Sequence, residues 1–302
     1  MQSLFEKILG KENVFINEPM SKHTTFHIGG AADYFLEITD EACLMKVIKV
    51  CKEKELSVFV LGNGSNLLVG DGGIRGVVLH FKKHFCGIKI ELNKVYAQCG
   101  VMLSKLAKSA EENSLSGFEA ISGIPGTLGG ALYMNAGAYE VEVCRCLKKI
   151  RYLDEDLTIK EAEKENCGFE YRKSMFTNTN KIILSAEFEL EFGEQEEIKR
   201  KVAEYTQKRT SKQPLEKFSA GSTFKRPKGY FAGALIEGAG LKGLCVGDAE
   251  VSKKHAGFVV NNKNATAEEV LKLLELVEEK VFEKYGVKLE PEVKLIGEFE
   301  SR

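Results

Sequence analysis

The sequence predicts an α+β protein of two or three domains, on three observations. At 302 residues the chain is long enough to bury more than one substantial core. Its 43% hydrophobic and 29% charged content is that of an ordinary globular protein, neither disordered nor collagenous. Segments with helical apolar spacing are mixed along the chain with short β-rich runs, and no internal repeat points to a solenoid.

At the start, "MQSLFEKILGKENVFINEP" has charged residues breaking its apolar ones and no small-residue cleavage site after a hydrophobic run, so no leader is predicted. Thr39 or Asp40 caps a helix carrying Leu44, Val47, Ile48 and Cys51 on one face. It runs out before "LSVFVLG", an apolar, β-rich run that predicts a buried strand. A helix is expected near "MLSKLAKSAEENSLSG", and the alternation of "KIILSAEFELEF" predicts a strand. The charged segment "EQEEIKRKVAEYTQKRTSKQP" predicts a connecting helix with Ile198, Val202 and Tyr205 inward, stopped by Pro214. The last helix opens on the capping box Thr266-x-x-Glu269, turns Val270, Leu273, Leu274, Val277, Val281 and Phe282 inward, and ends at Gly286.

Forty-three basic residues against forty-four acidic ones leave a formal charge of -1, which signals no bulk attraction to nucleic acid. The eight cysteines are scattered, only Cys144 and Cys146 lying close together. With no C-x-x-C pair and no zinc spacing, no metal site is predicted, and reduced thiols in a cytoplasmic protein are expected. No stretch approaches the ~18 apolar residues needed to span a bilayer.

Two glycine-rich stretches carry the first functional signal. "LGNGSNLLVGDGG" follows the predicted strand, and "SGIPGTLGGALYMNAG" holds Gly123, Gly126, Gly129 and Gly130. Glycines let backbone N–H groups turn toward an anion and let a phosphate approach without a Cβ in the way. The first stretch has Leu67 where a G-x-G-x-x-G fingerprint needs its third glycine, and neither has the lysine of a phosphate-binding P-loop. Either alone is explained by tight turns; together they favour a dinucleotide held on a different fold. A third stretch, "SAGSTFKRP", presents Ser222 behind Gly221. Ala220 and Phe224 stand where a nucleophile elbow requires glycine, so by itself the stretch is a turn.

In order along nearly the whole chain, "LGNGSNLL", "SGIPGTLGGALYMNAGAY", "FEYRKSMF", "SAGSTFKRP", "KHAGFVVNN" and "PEVKLIGEF" resemble the UDP-N-acetylenolpyruvoylglucosamine reductase family, as does "HTTFHIGGAADYF" near the start. The resemblance implies an FAD-binding fold of the vanillyl-alcohol-oxidase type plus a C-terminal α+β substrate domain. Residues 1–80, with a strand at about 288–302 returning to them, and residues 81–195 would form the two FAD-binding subdomains, and 196–287 the substrate domain. It implies non-covalent FAD reduced by NADPH, and hydride transfer to the enolpyruvyl ether of UDP-N-acetylglucosamine, giving UDP-N-acetylmuramate for peptidoglycan precursors. No nucleic acid and no obligatory protein partner is expected.

Hydride addition to the methylene carbon of that ether leaves negative charge on the neighbouring carbon and its carboxylate. The reaction then needs preorganised donors at the carboxylate and a proton source over the carbon. On the resemblance, Arg172 supplies a planar fork, Glu292 a hydrogen bond if burial keeps it protonated, and Ser222 the proton. A serine hydroxyl is a weak acid, but an enediolate is a strong base. Lys212, Lys225, Arg226 and His255 are expected at the substrate. Gly62, Asn63, Gly64, Ser65 and Asn66 of the first loop are expected at the FAD, with Gly123, Gly126, Thr127, Gly129, Gly130, Asn135 and Gly137 of the second. One branch of the family has asparagine at the place of Arg226 and an extra loop bearing a substrate-binding tyrosine. Here Tyr139 is followed at once by "EVEVCRC", which assigns the chain to the compact branch without that loop.

Two other readings remain open at this level. One is a flavin oxidase of the same superfamily, with His23, His27 or Cys99 as points of covalent flavin attachment. The other is a nucleotide-binding module that uses the glycine loops and performs no chemistry.

Overall fold

The computed structural model describes residues 1–299. The chain forms two compact units. One contains Met1–Val14, Leu36–Asn63 and Val78–Arg209; the other contains Phe15–Phe35, Gly64–Val77 and the described residues from Thr210 onward.

The N-terminal part runs α1 (Gln2–Leu9), β1 (Val14–Pro19), β2 (Ala31–Glu37), α2 (Glu41–Glu53), β3 (Val58–Leu61), β4 (Leu67–Val69) and β5 (Ile74–His80). Of the two residues able to cap α2, Asp40 does so: its carboxylate accepts from the Cys43 N–H at 2.8 Å, which holds its pKa below the usual range. The helix buries Leu44, Val47, Ile48 and Cys51, the face its spacing predicts.

The expectation of a buried strand at "LSVFVLG" is corrected. β3 pairs only with β5 at the edge of the order β1-β2-β5-β3, and Val58 and Val60 are 36% and 42% exposed. An apolar run does not reveal whether a sheet continues on both of its sides, and here it does not.

The first unit continues through β6 (Ile88–Glu91), β7 (Lys94–Gln98), α3 (Leu103–Glu112), β8 (Leu115–Ser116), α4 (Leu128–Tyr133), β9 (Gly137–Ala138), β10 (Val141–Glu142), β11 (Leu147–Leu153), β12 (Ile159–Glu163), β13 (Ile182–Glu189) and β14 (Glu191–Phe192). An antiparallel sheet of order β12-β11-β13-β7-β6 forms its body. β13 sits at the centre, and Phe188 on it meets Phe118 edge-on at 5.1 Å. The alternation of "KIILSAEFELEF" is therefore a core face, broken after Glu189 where β14 leaves to pair with β8. α5 (Gln195–Lys212) follows, and it buries only Ile198; Val202 and Tyr205, expected inward, are half-buried. Its remaining faces are charged, with ion pairs such as Arg200 to Glu197 at 2.7 Å.

The second unit adds β15 (Phe218–Ser219), α6 (Ala232–Gly238), β16 (Cys245–Val246), β17 (Ala249–Val251), β18 (Val259–Asn261), α7 (Ala267–Tyr285) and β19 (Lys294–Ile296). The antiparallel sheet β15-β18-β17-β16 shares one apolar core with α6 and α7, and β19 pairs in parallel with β4. α7 has the predicted reciprocal capping box between Thr266 and Glu269 and ends at Gly286 in the left-handed conformation. Val270, Leu273, Leu274, Val277 and Val281 are each buried, a gain of about 1.5–3 kcal/mol per side chain. Phe282 is the exception, 57% exposed: one residue past Val281 lies about 100° around the helix and off the stripe.

Candidate active site

In the first unit the two glycine loops meet. β3 places Leu61 in the core, and the chain turns out at Gly62, where a Cβ would stand 2.5 Å from Thr127 Oγ1. Asn63 bridges onward: its Nδ2 donates to the Pro125 carbonyl at 2.7 Å, and its Oδ1 accepts from Lys82 Nζ at 2.8 Å. The second loop is pinned by backbone bonds from Leu103 to Gly126 at 3.0 Å, Leu128 to Val101 at 2.7 Å and Gly129 to Cys99 at 2.8 Å. Gly129 lies flat on Cys99, where an added Cβ would come within 3.0 Å of the cysteine Cβ. Thr127 is buried as the N-cap of α4, with Gly123 and Gly130 at the surface on either side of it.

Asn135 is fully buried, and its Nδ2 donates to Glu142 Oε2 at 2.8 Å and to the Glu170 carbonyl at 3.1 Å. It thereby ties the second glycine loop to the turn that carries Arg172. There Glu170 and Lys173 exchange backbone hydrogen bonds at 3.1 and 3.2 Å around a tip of Tyr171 and Arg172. Arg172 is half-buried with φ 58°, and its guanidinium lies 4.7 Å from the Tyr171 ring centroid. Gly137 begins a two-residue hairpin whose corners, Tyr139 and Glu140, both have positive φ, as a type I′ turn requires. Tyr139 stacks on Tyr205 at 4.6 Å and donates its hydroxyl to the Tyr205 carbonyl at 3.1 Å.

The sequence reading passed over Arg209. Its Cδ lies 3.1 Å from the Cβ position of Gly123, and burial lowers its pKa while no carboxylate pairs with it among the described residues. A desolvated cation beside the second glycine loop is a product of packing, and that signal does not exist in one dimension.

In the second unit the segment of Ser222 is held from three directions. Thr223 donates its N–H to the Gly257 carbonyl at 2.8 Å, its Oγ1 accepts from the Val259 N–H at 2.9 Å, and its carbonyl accepts from the Glu292 N–H at 2.8 Å. Gly221 has φ 77°, which leaves the Ser222 side chain on the surface while Ala220 and Phe224 go into the core. Asn66 donates from Nδ2 to the Glu292 carbonyl at 3.1 Å and accepts from the Lys294 N–H at 2.9 Å. The end of the first glycine loop, Ser222 and Glu292 thus share one framework. Gly64, with φ 61°, passes so close to the His23 carbonyl that no side chain fits, and the Ser65 carbonyl is 4.0 Å from the Cβ position of Gly221.

Lys225 donates its N–H to the Glu290 carbonyl at 2.8 Å and pairs its ammonium with the Glu290 carboxylate. Arg226 lies over the ring of Phe231, 3.9 Å from its centroid. His255 is half-buried, and its Nδ1 accepts from the Gly257 N–H at 3.1 Å, which assigns the ring proton to Nε2. Burial lowers its pKa, and the charges of Lys242 and Lys212 lower it further. Lys212, exposed at the end of α5, is thus electrostatically coupled to His255.

The residues weighed for covalent flavin attachment have structural occupations. His23 bonds Glu18 at 3.0 Å and stacks on Phe35, His27 stacks on Phe218 at 3.8 Å, and burial pushes the Cys99 thiol far up. None of the eight cysteines forms a disulfide. No cluster able to hold a metal and no helix long and apolar enough to cross a membrane occurs among the described residues.

The FAD expected from the resemblance fits two features of the loops: the close approach of the two glycine stretches, where Gly62 has no Cβ to strike Thr127 Oγ1, and a buried Asn135 Oδ1 that meets no donor among the described residues.

Comparison with known proteins agrees with this geometry. Residues 32–163 match the FAD binding domain family, and residues 213–296 match the family described as UDP-N-acetylenolpyruvoylglucosamine reductase, C-terminal domain. The UDP-N-acetylenolpyruvoylglucosamine reductase of Clostridioides difficile (strain 630) is 47% identical over 291 residues, 96% of each chain. That of Clostridium perfringens (strain SM101 / Type A) is 46% identical over 297 residues, 97% of each. The crystal structure of UDP-N-acetylenolpyruvylglucosamine reductase from Thermus caldophilus superposes with a TM-score of 0.81 at 34% identity, covering 94% of this chain and 98% of that one. A glucose oxidase variant of Phl p 4 shares the fold alone, with a TM-score of 0.51 at 9% identity over 64% of this chain and 44% of that one. The chain belongs to the UDP-N-acetylenolpyruvoylglucosamine reductase family, on an FAD-binding fold of the vanillyl-alcohol-oxidase type.

Proposed function

We infer that this protein is a flavoenzyme that uses NADPH to reduce the enolpyruvyl ether of UDP-N-acetylglucosamine to UDP-N-acetylmuramate, a step of peptidoglycan precursor synthesis. The observation that carries the catalytic assignment is the backbone bond of 2.8 Å from Glu292 to Thr223, which sets Glu292 beside the exposed Ser222.

Bound FAD supplies the two-electron relay between NADPH and the enolpyruvyl double bond. The residues that would hold it are Gly62, Asn63, Gly64, Ser65 and Asn66 of the first glycine loop and Gly123, Gly126, Thr127, Gly129 and Gly130 of the second. Asn135 and Gly137, which continue the second loop, are assigned to the same cofactor.

Ser222 gives its hydroxyl proton to the carbon that carries the carboxylate once hydride has reached the methylene carbon, so that the double bond gains one hydride and one proton. Transfer from so weak an acid is favourable because the acceptor is an enediolate. Arg172 binds the carboxylate through its planar fork, and Glu292 hydrogen-bonds it as developing charge accumulates there. Lys212, Arg226 and His255 contact the anionic nucleotide-sugar; His255, neutral near pH 7, does so as an Nε2–H donor. Lys225, paired with Glu290, orients the segment as well as adding positive charge.

We assign residues 1–80 and 81–195, with 288–299 returning to the first, to FAD binding, and 196–287 to the substrate; the end of the expected returning strand, 300–302, lies outside the described residues. A cytoplasmic location is supported by the eight unbridged cysteines, and no obligatory protein partner is proposed.

The test is a stopped-flow trace of flavin absorbance on protein reduced anaerobically with one equivalent of NADPH and then mixed with the enolpyruvyl sugar. Rapid return of the oxidised spectrum without oxygen is expected. A spectrum that returns only when oxygen is admitted would make the protein an oxidase, and no flavin spectrum after adding FAD would leave a binding module.

A further inference from the structure

Phe231 is a large apolar side chain with 62% of its surface exposed, at the N-terminal edge of α6. Burial therefore does not explain it, and its face is instead occupied by a cation: the Arg226 guanidinium stands 3.9 Å from the ring centroid, close to van der Waals stacking. The two residues close a short loop with fixed ends. At its start, the Lys225 N–H donates to the Glu290 carbonyl at 2.8 Å and Phe224 bridges Pro291, so the loop grows from the bridged segments that align Ser222 with Glu292. Within it the Tyr230 N–H donates to the Pro227 carbonyl at 3.1 Å, and Gly229 takes φ 82°. At its end, Gly233 packs against Gly257, with 3.3 Å from its Cβ position to the Gly257 nitrogen, and Gly257 also binds Thr223.

We propose that Phe231 is a positioning residue for the substrate, holding the guanidinium of Arg226 by its flat face so that the in-plane N–H donors are aimed at the anionic part of the nucleotide-sugar. A long arginine side chain on an exposed loop samples many rotamers, and ordering it on binding weakens affinity. Stacking on a ring removes that freedom beforehand without using the donors along the rim of the fork. The inference rests on the assignment of Arg226 to the substrate made above, and it adds a residue that itself donates no hydrogen bond.

The test compares Phe231→Leu, Phe231→Tyr and Arg226→Ala in the intact protein with FAD bound. Phe231→Leu keeps apolar bulk and removes the π face. It is expected to raise KM for the enolpyruvyl sugar about three- to ten-fold, the range of a cation–π contact at a partly exposed site. The rate of flavin reduction by NADPH and Tm should stay at the wild-type values, and Phe231→Tyr should restore KM. Adding Phe231→Leu to Arg226→Ala should raise KM no further. An unchanged KM in Phe231→Leu, a rise of the same size in the Arg226→Ala background, or an equal loss in both half-reactions would overturn the role. If Arg226→Ala itself leaves KM unchanged, the substrate assignment of Arg226 falls and the role of Phe231 falls with it. Arg226→Ala raising KM while Phe231→Leu does not would retain that assignment and reject only the positioning.

Discussion

Thr223 and Glu292 are joined at 2.8 Å, the backbone N–H of Glu292 donating to the Thr223 carbonyl. This bond sets the side chain assigned to bind the carboxylate in register with the residue after the assigned proton donor. Two chemical roles supplied by distant stretches of chain are therefore fixed to each other by main chain, which side-chain substitution leaves in place.

Ser222→Ala is accordingly expected to remove a proton and little else. Reoxidation of the reduced flavin by the enolpyruvyl sugar should slow by roughly 10²- to 10⁴-fold, the usual worth of a positioned acid. Flavin reduction by NADPH should change less than about two-fold, and because the side chain is exposed, stability should shift by no more than about 0.5 kcal/mol. Equal losses in both half-reactions, measured by stopped flow, would remove Ser222 from the proton-donor role.

Arg172→Lys keeps the charge and loses the fork. Because hydrogen bonds to charged groups contribute about 1.5–3 kcal/mol, the reoxidation half-reaction should fall roughly ten- to one-hundred-fold. Glu292→Gln, which retains a donor, should be less impaired in the same half-reaction than Glu292→Ala; the reverse order would show that the carboxylate charge matters and not the donated hydrogen bond.

A methyl group at Gly62 would stand 2.5 Å from Thr127 Oγ1. Gly62→Ala should weaken FAD retention, by about 1–3 kcal/mol of overpacking, measured as flavin released on dilution. In a chain already carrying Thr127→Ala the same substitution should do much less. Undiminished loss in that background would place the methyl group against the cofactor itself.

His255 carries a pH dependence of known sign. Burial, with Lys242 and Lys212 nearby, holds its folded pKa below the unfolded value of about 6.5. As pH falls through that unfolded value the unfolded chain takes up a proton that the folded one does not, so stability from this residue is present at neutral pH and declines toward acid. His255→Gln should flatten the fall of Tm between about pH 7 and 5.5 relative to wild type. A parallel fall in both proteins would show that His255 is not desolvated.

Thr266→Ala removes half of the reciprocal capping box of α7. About 1 kcal/mol should be lost, and Tm should fall by about 2–4 °C, with FAD retention unchanged. A fall in FAD retention of the same proportion would show that α7 supports the cofactor loops.

The sequence by itself determined what acts over a few residues. The Asp40 cap, the Thr266–Glu269 box, the Gly286 stop and the inward stripes of α2 and α7 need only neighbours within a turn or two, so their chemistry is written in spacing. The glycine loops were legible for the same reason, because a missing Cβ is a local property. Ser222, Arg172 and Glu292 were named only through the resemblance, since a serine after a glycine is by itself a turn.

Tertiary structure decided whatever depends on which surface arrives from elsewhere. β3 is as apolar as a central strand and became an edge because only β5 pairs with it. Phe282 fell outside the stripe of its own helix, and Val202 and Tyr205 met too little protein to be covered. Burial of the Arg209 guanidinium, the pairing of Lys225 with Glu290, the stack of Arg226 on Phe231 and the bond between Thr223 and Glu292 are all outcomes of long-range packing. A residue's identity sets what it can donate, accept or stack upon; only the folded chain sets which partner is within reach and how much water is left around it.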